Sequence, residues 1–171
     1  MIIKPDNEML SYSGRIDFDD RLAPVLVYAC SSIGMKFTGT SLKAVIANHR
    51  SCWTNELGYF IDGEQKRFTL SSDEEKKTYT LAEGLSEGTH ELLLFKRMDS
   101  CHTFTFYGFE IDDGAEVLPL PEKPKRKMEF FGDSVSCGEV SEAVAYVGKP
   151  DPEHDGEYSN SWYSYAWMTA R

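Results

Sequence analysis

Long hydrophobic runs are missing from this 171-residue sequence. No apolar segment approaches the roughly 18 residues of a membrane span, and residues 1–6 lack the apolar core of a secretory signal. We therefore expect a soluble protein, cytoplasmic as the chain is written and extracellular if a signal peptide has been removed. Disorder is not expected, because hydrophobic residues make up 41% and aromatic residues 13% of the chain, enough to build a core.

Basic charge is also scarce. Eighteen lysine and arginine residues stand against 28 acidic ones, which gives a net charge of −10. Such a surface repels phosphate groups, so neither nucleic acid nor a membrane is expected as a partner. The basic cluster formed by Lys123 and residues 125–127 is interrupted by Pro124, and this pattern favours a solvated linker over a nucleic-acid patch.

Cysteines are few and scattered. None of the four has the Cys-x-x-Cys spacing of a zinc or redox site: Cys30, Cys52, Cys101 and Cys137. Reduced thiols are the default for a chain without an export signal. The two His–Cys pairs, His49 with Cys52 and His102 with Cys101, lack a second pair at ligand spacing. We therefore expect no metal and no other cofactor.

Helical periodicity is hard to find between residues 11 and 117, where short strand-like runs recur about every 8 to 12 residues. Asp62-Gly63 is a strong hairpin signal, because both residues tolerate positive φ. The pattern is typical of a two-sheet sandwich or barrel with its own core. The predicted strands are 15–18, 25–29, 34–38, 41–47, 59–61, 66–70, 77–81, 89–96, 103–111 and 116–118.

The run 103–111 alternates most clearly, and polar residues 71–76 are predicted as a loop or a brief helical turn. Because successive side chains of a strand point to opposite sides, two faces are predicted for this run. One carries Thr103, Thr105, Tyr107 and Phe109, and the other carries Phe104, Phe106 and Gly108.

A proline-rich stretch divides the chain. Three of the seven prolines fall within residues 118–127, which predicts a stiff, extended connector. We expect a β-sandwich at 1–118, a linker at 119–126 and a second unit at 127–171.

The second unit follows a different pattern. An apolar strand is predicted at 127–131, then the turn Gly132-Asp133-Ser134, then a helix that begins at Ser159 or Asn160. The residues predicted on one face of this helix are Trp162, Tyr165, Ala166 and Thr169. Strand, turn and helix begin a βα unit of a parallel sheet, and such a sheet needs further strands. We therefore expect other polypeptide to complete this unit.

Ser134 follows the predicted strand directly, at the position where α/β sheets place their ligands. That position suits a nucleophile whose own N–H stabilises an oxyanion. The Gly-x-Ser-x-Gly elbow is absent, because Ser136 occupies the second glycine position. Local sequence alone leaves open whether Ser134 is a nucleophile or a cap or turn residue. Asp133 is expected to brace the loop through backbone hydrogen bonds.

Residues 130–138, Phe-Phe-Gly-Asp-Ser-Val-Ser-Cys-Gly, resemble the first conserved block of the SGNH, or GDSL-type, esterases. Five upstream stretches resemble the N-terminal jelly-roll domain of carbohydrate esterase family 2, in which a jelly roll precedes an SGNH domain. These stretches are 11–18, 37–42, 79–85, 94–97 and 108–114. The order of sandwich, proline-rich joint, Gly-Asp-Ser and the helix at 164–171 also matches.

The resemblance implies an all-β jelly-roll sandwich followed by the start of an SGNH-like, flavodoxin-like α/β hydrolase domain. It further implies removal of acetyl groups from xylan or mannan saccharides through a serine acyl-enzyme. Ser134 matches the nucleophile, with its backbone N–H as oxyanion donor, and Gly132, Asp133 and Gly138 match the supporting loop. The family's base histidine and further oxyanion donors lie in blocks that this sequence does not contain. His154 is expected to be a surface histidine, so these 171 residues alone should be inactive.

The resemblance implies that the protein binds an acetylated oligosaccharide or polysaccharide. It also implies that the remainder of the SGNH domain, or a partner chain, completes the second unit. A homo-oligomer stays possible. Aromatic residues that either stack on sugar or pack internally are Trp53, Tyr59, Trp162, Tyr163, Tyr165 and Trp167. The alternative function is a carbohydrate-binding jelly-roll module with a vestigial, inactive hydrolase segment. The sugar and the acetyl position are not specified by the sequence.

Overall fold

The computed structural model describes all 171 residues, Met1 to Arg171. Residues 1–118 form two antiparallel six-stranded sheets. The strands are β1 (Ile2–Ile3), β2 (Ser11–Ser13), β3 (Ile16–Asp17), β4 (Val25–Leu26), β5 (Ser32–Thr38), β6 (Leu42–His49), β7 (Glu56–Ile61), β8 (Glu64–Thr69), β9 (Lys76–Ala82), β10 (Thr89–Lys96), β11 (Thr103–Ile111) and β12 (Val117–Leu118). The first sheet has the order β3-β4-β11-β6-β9, with β1 also on β11, and the second has the order β12-β5-β10-β7-β8, with β2 also on β5. The predicted two-sheet sandwich is confirmed.

A single hydrophobic core lies between the two sheets. It contains 20 buried residues, the last of which along the chain is Ile111. Strand β5 contributes Ile33, Met35 and Phe37, which alternate along the strand as one face of a pleated sheet requires. Each such side chain contributes roughly 1.5–3 kcal/mol when fully buried. All the residues of this core therefore lie within the sandwich, before the proline-rich stretch.

Strand β11 contains a β-bulge between Phe106 and Gly108. The extra residue shifts the alternation of side chains by one position, so that Phe106 and Phe109 both face the core. The predicted strict alternation, which placed Phe109 on the face of Tyr107, is therefore wrong. Gly108 permits the bulge because its φ is +126° and a Cβ there would lie 2.4 Å from the carbonyl oxygen of Ile3.

The predicted hairpin at Asp62-Gly63 is confirmed. These two residues have φ of 52° and 85°, as a two-residue turn between twisted strands requires. Ile61 of β7 consequently pairs with Glu64 of β8. The bounds of β10 and β11 are also as predicted, and a loop precedes Lys76.

Residues 119–133 contain neither helix nor strand, and a short helix, α1 (Ser134–Cys137), follows them. The strand predicted at 127–131 is absent, because these exposed residues have no neighbouring strand with which to form a hydrogen-bond ladder. That residues 127–171 begin an α/β domain stays a prediction.

The single helix predicted after Asn160 is split in two. Asn160 caps a 3₁₀ turn (Ser161–Tyr163), and Ser164 then takes an extended conformation with ψ of 147°. The Ser164 hydroxyl accepts a hydrogen bond from the Trp167 N–H at 3.2 Å and starts a second helix, α2 (Tyr165–Ala170). Trp162 and Tyr165 thus share no continuous helical face, because a serine that caps a new helix interrupts the old one. No helix is long and apolar enough to cross a bilayer.

The C-terminal segment packs on the outer face of the second sheet. The Trp162 ring lies 4.4 Å from that of Phe60 on β7 and 5.8 Å from that of Phe95 on β10, measured between centroids. Gly58 makes room for this layer, since a Cβ there would lie 2.1 Å from the Phe95 ring. The segment that carries α1 and α2 is therefore docked on the sandwich.

Candidate active site

Ser134 is the first residue of α1 and is half-buried. Asp133 is the N-cap, and its Oδ1 accepts a hydrogen bond from the Val135 N–H at 3.1 Å. A residue in the first turn of a helix has no intrahelical acceptor for its N–H. The Ser134 N–H therefore has no acceptor within the helix, while the Asp133 side chain is hydrogen-bonded to the loop backbone.

Two glycines shape this turn. A Cβ on Gly132 would lie 1.9 Å from Ser136 Oγ, so only glycine fits there. Gly138 ends α1 with φ of 77°, and its N–H points back to the carbonyls of Ser134 and Val135. The loop residues predicted around Ser134 thus form one tight turn, and the structure explains why two of them are glycine.

Tyr165 reaches this turn from α2. Its hydroxyl and that of Ser136 share a hydrogen bond of 2.8 Å, and its ring lies edge-on to Phe130 at 6.2 Å. The two short helices of the C-terminal segment are therefore linked through Ser136, two residues after Ser134.

No general base lies beside Ser134. Its hydroxyl makes no hydrogen bond, and each of the chain's four histidines has other polar neighbours. The histidine ring nitrogens lie against Thr105 (His49), Asp62 and Ser86 (His90), Asp99 and Trp53 (His102), and Glu139 and Gly156 (His154). Within these 171 residues, no histidine is hydrogen-bonded to the Ser134 hydroxyl.

His154 is not the surface histidine that the sequence predicted. Its side chain is only 10% exposed and its ring packs 4.6 Å from that of Trp53. Nε2 lies 3.9 Å from a carboxylate oxygen of Glu139. The burial arises because the loop that carries His154 folds back onto the sandwich, where the Thr54 N–H donates to the Asp155 carbonyl at 3.1 Å.

The candidate sugar-stacking aromatics serve mainly in packing. Tyr59 is buried in the core, where its hydroxyl donates to the Leu81 carbonyl. Trp53 packs against the rings of His102 and His154. Trp162 lies against Phe60, Phe95 and Trp167. Of the six, Tyr163 and Tyr165 are exposed.

The cysteines are free thiols in the structure. Cys30 is partly buried against the C-terminal segment, and its thiol donates to the Ser161 carbonyl at 3.6 Å. Burial raises the pKa of this thiol to about 11. The pairing of His49 with Cys52 does not occur, since Cys52 Sγ lies 3.8 Å from His102 Nε2 instead.

Comparison with known proteins decides the family. Residues 12–121 match the family model described as carbohydrate esterase 2 N-terminal. The chain belongs to carbohydrate esterase family 2. The resemblance seen in the sequence is thereby confirmed, and so is the jelly-roll fold of the sandwich. The structure of this family 2 chain does not contain the parallel sheet of an α/β hydrolase domain.

Two curated relatives of this family 2 chain are named as esterases. It is 32% identical over 167 residues to the cellulase/esterase CelE of Acetivibrio thermocellus, covering 97% of this chain and 19% of CelE. It is 26% identical over 148 residues to the acetylxylan esterase / glucomannan deacetylase of Cellvibrio japonicus, covering 82% of this chain and 40% of that enzyme. The structure of a family two carbohydrate esterase from Clostridium thermocellum in complex with cellohexaose matches with a TM-score of 0.80 and 30% identity. That match covers 94% of this chain and 47% of the other.

Sequence reasoning missed the polar cluster that joins the sandwich of this family 2 chain to its C-terminal segment. Arg97 follows β10, is 2% exposed, and donates from Nη2 to Glu142 Oε2 at 2.7 Å. Glu56 and Arg67 complete the cluster, with 3.1 Å between Arg67 Nη1 and Glu56 Oε2. Burial raises the pKa of Glu56, although both arginines oppose that shift. These residues lie far apart along the chain, so no local motif marks them.

Lys96, the residue before Arg97, is buried as well. Its Nζ donates to the carbonyls of Met98, at 2.6 Å, and Asp99. Burial lowers the pKa of this lysine to about 7. Two consecutive buried basic residues thus lie at the end of β10, and Arg97 is the one that pairs with the C-terminal segment.

Proposed function

We propose that Ser134 is the nucleophile of a carbohydrate O-acetyl esterase that acts on acetylated xylan or mannan saccharides. The observation that carries this proposal is the order of the chain, in which a Gly-Asp-Ser turn at the start of a helix follows a jelly roll that matches the carbohydrate esterase 2 N-terminal model. The deacetylase of Cellvibrio japonicus, named for xylan and glucomannan, supports the choice of substrate. The chain spans less than half of the relatives it matches, so the activity belongs to the protein as a whole.

The reaction would pass through an acetyl-serine. Ser134 Oγ attacks the acetyl carbonyl carbon while a base removes its proton, and the Ser134 N–H donates to the oxyanion that forms. The sugar oxygen leaves with the proton, and acetate is released when water attacks the acetyl-serine. No metal or cofactor enters either step.

The base must come from outside these residues. All four histidines have neighbours other than Ser134, and a serine hydroxyl without a base is a weak nucleophile at neutral pH. We propose that the remainder of an SGNH domain, in the same polypeptide or in a partner chain, supplies the histidine and further oxyanion donors.

The test is acetate release by the full-length protein from acetylated xylan and acetylated glucomannan. Ser134→Ala should lower kcat by about 10⁴-fold or more while the far-ultraviolet circular dichroism stays unchanged. Ser72→Ala, in the exposed loop after β8, is the matched control and should keep full activity. Near-normal turnover by Ser134→Ala would refute the assignment.

The second candidate is a carbohydrate-binding module with an inactive hydrolase segment. The cellohexaose complex of the Clostridium thermocellum esterase favours it, since that protein holds a saccharide without acetyl groups. Calorimetric titration with cellohexaose separates the two functions. Binding by the full-length protein, with no acetate released from either acetylated polysaccharide, would establish the module and exclude the esterase.

A further inference from the structure

The strongest feature outside the serine turn is the chain of contacts that begins at Arg97. The guanidinium is 2% exposed and its closest partner is Glu142, at 2.7 Å. Arg97 Nε is buried without a hydrogen bond, with Glu56 3.8 Å away. A buried cation needs its anion, because removal of one partner leaves the other charge uncompensated. Arg97 is therefore tied to the C-terminal segment more firmly than a surface ion pair would be.

Glu142 connects Arg97 to Asn160. Its second carboxylate oxygen, Oε1, accepts a hydrogen bond from Asn160 Nδ2 at 2.7 Å. Both oxygens of this carboxylate thus receive donors, one from the sandwich and one from the C-terminal segment. An uncharged glutamine at this position would offer one acceptor to two donors and would have to give up one bond.

Asn160 is fully buried and connects the cluster to α1. Its N–H donates to the Gly138 carbonyl at 3.0 Å, and its own carbonyl accepts from the Ser141 hydroxyl at 3.0 Å. A Cβ on Gly138 would lie 2.7 Å from the Asn160 carbonyl oxygen, which shows how closely the two backbones approach. Gly138 is the C-cap of the helix that Ser134 begins. Contacts therefore run without interruption from Arg97 to the serine turn.

A parallel connection reinforces this one. The Ser161 N–H donates to the Arg97 carbonyl at 3.0 Å, and the Ser161 hydroxyl donates to the Lys96 carbonyl at 2.7 Å. Asn160 is thus held on one side by Gly138 and on the other by the end of β10. The four-residue helix α1 has too few hydrogen bonds of its own to fix its direction, so these contacts decide where it points.

We propose that Arg97 and Glu142 are positioning residues for Ser134, which hold α1 at a fixed place relative to the end of β10; this rests on the proposed function of Ser134. The jelly roll then takes part in catalysis without touching the substrate. A nucleophile displaced by about 1 Å can lose about 100-fold in rate, so a loosened α1 should lower kcat rather than weaken binding.

The first test measures kcat and KM for acetate release by the full-length protein. Arg97→Met should lower kcat by about 100-fold and leave KM within about threefold. Arg97→Lys keeps a cation that reaches Glu142, so its kcat should be at least about tenfold higher than that of Arg97→Met. Arg15→Met is the matched control, because Arg15 pairs with Glu129 across the same two parts of the chain but at an exposed position. A fall in kcat no larger than that of Arg15→Met would overturn the proposal.

Glu142→Gln guards against a variant that does not fold. Glu142 is 30% exposed, so the protein should tolerate this change, and kcat should fall by about 10-fold with KM unchanged. If Arg97→Met is insoluble, an unchanged kcat in Glu142→Gln overturns the proposal by itself.

Amide hydrogen exchange separates this inference from the proposed function, because it needs no catalysis. In Arg97→Met, exchange at residues 134–141 should rise at least about tenfold over the parent, while that of β5 and β6 stays unchanged. An inactive parent protein with this pattern would refute the esterase and leave the contact chain supported. An active parent whose residues 134–141 exchange at the same rate in Arg97→Met would refute the positioning role and leave the esterase supported.

Discussion

Truncation of Trp162 should release the C-terminal segment from the sandwich without unfolding the sandwich. The Trp162 ring packs 4.4 Å from Phe60 and 4.7 Å from Trp167, and the Arg171 guanidinium lies 4.3 Å above it. Replacement of a fully buried tryptophan by alanine costs about 3–5 kcal/mol. Trp162 is half-buried, so we expect Trp162→Ala to cost about 2 kcal/mol of docking free energy, or about 30-fold in the opening equilibrium.

The assay is hydrogen exchange of this chain followed by mass spectrometry of its peptides. Peptides from 134–171 should exchange about 30-fold faster in Trp162→Ala, and peptides from β5, β6 and β11 should not change. Met168→Ala is the control in the same segment, since Met168 is 54% exposed and its loss should change exchange by about twofold at most. Equal acceleration in the sandwich peptides would show that the two parts unfold as one unit, contrary to the reasoning.

Three further predictions concern the helix end, pH and catalysis. Gly138→Ala should destabilise the chain by at least about 1 kcal/mol more than Gly148→Ala in thermal denaturation, because both glycines have left-handed φ but only Gly138 faces a backbone atom at 2.7 Å. His90 lies between two acceptors, and the hydrogen bond from Nδ1 to Asp62 raises its pKa, so its contribution to stability is complete below about pH 6.5 and is lost as the pH rises through the higher folded value. Urea denaturation at pH 6 and pH 8.5 should show this loss of unfolding free energy in the parent and not in His90→Gln. An equal change between the two pH values in both proteins would contradict the prediction. The 171-residue chain alone should not hydrolyse p-nitrophenyl acetate above the buffer rate, and full activity would show that a residue within it serves as the base.

Strands that the sequence predicted well are those with a strong local pattern. Strands β10 and β11 are long and bounded by turns, so their ends could be placed correctly; β11 is rich in aromatic and β-branched residues, and β10 carries a run of leucines. Strands β1 and β2 have two and three residues and were missed, because pairing with β11 and β5 creates them. The bulge in β11 had a local signal, since an isolated glycine such as Gly108 in a strand often marks one.

The serine turn could be found from sequence and its surroundings could not. Gly132, Asp133 and Ser134 are adjacent, and their spacing is itself the motif. Arg97 and Glu142 are 45 residues apart and belong to different parts of the chain, so only the folded structure brings them together. The break at Ser164 was missed because the helix was predicted from the 3.6-residue spacing of its apolar residues. That spacing does not show whether a serine hydroxyl caps a new helix.

Of the four outer strands, β8 and β9 are the long ones, and their side chains affect how the protein behaves in concentrated solution. Strand β8 carries Glu64, Lys66 and Arg67, and β9 begins with Lys76 and Lys77. A foreign strand that added to either edge would have to bring these charges out of water. Natural β proteins use lysines on edge strands in this way to prevent edge-to-edge aggregation. The sandwich should therefore stay dispersed at high concentration, and neutral residues at these positions should turn the same edges into templates for fibres.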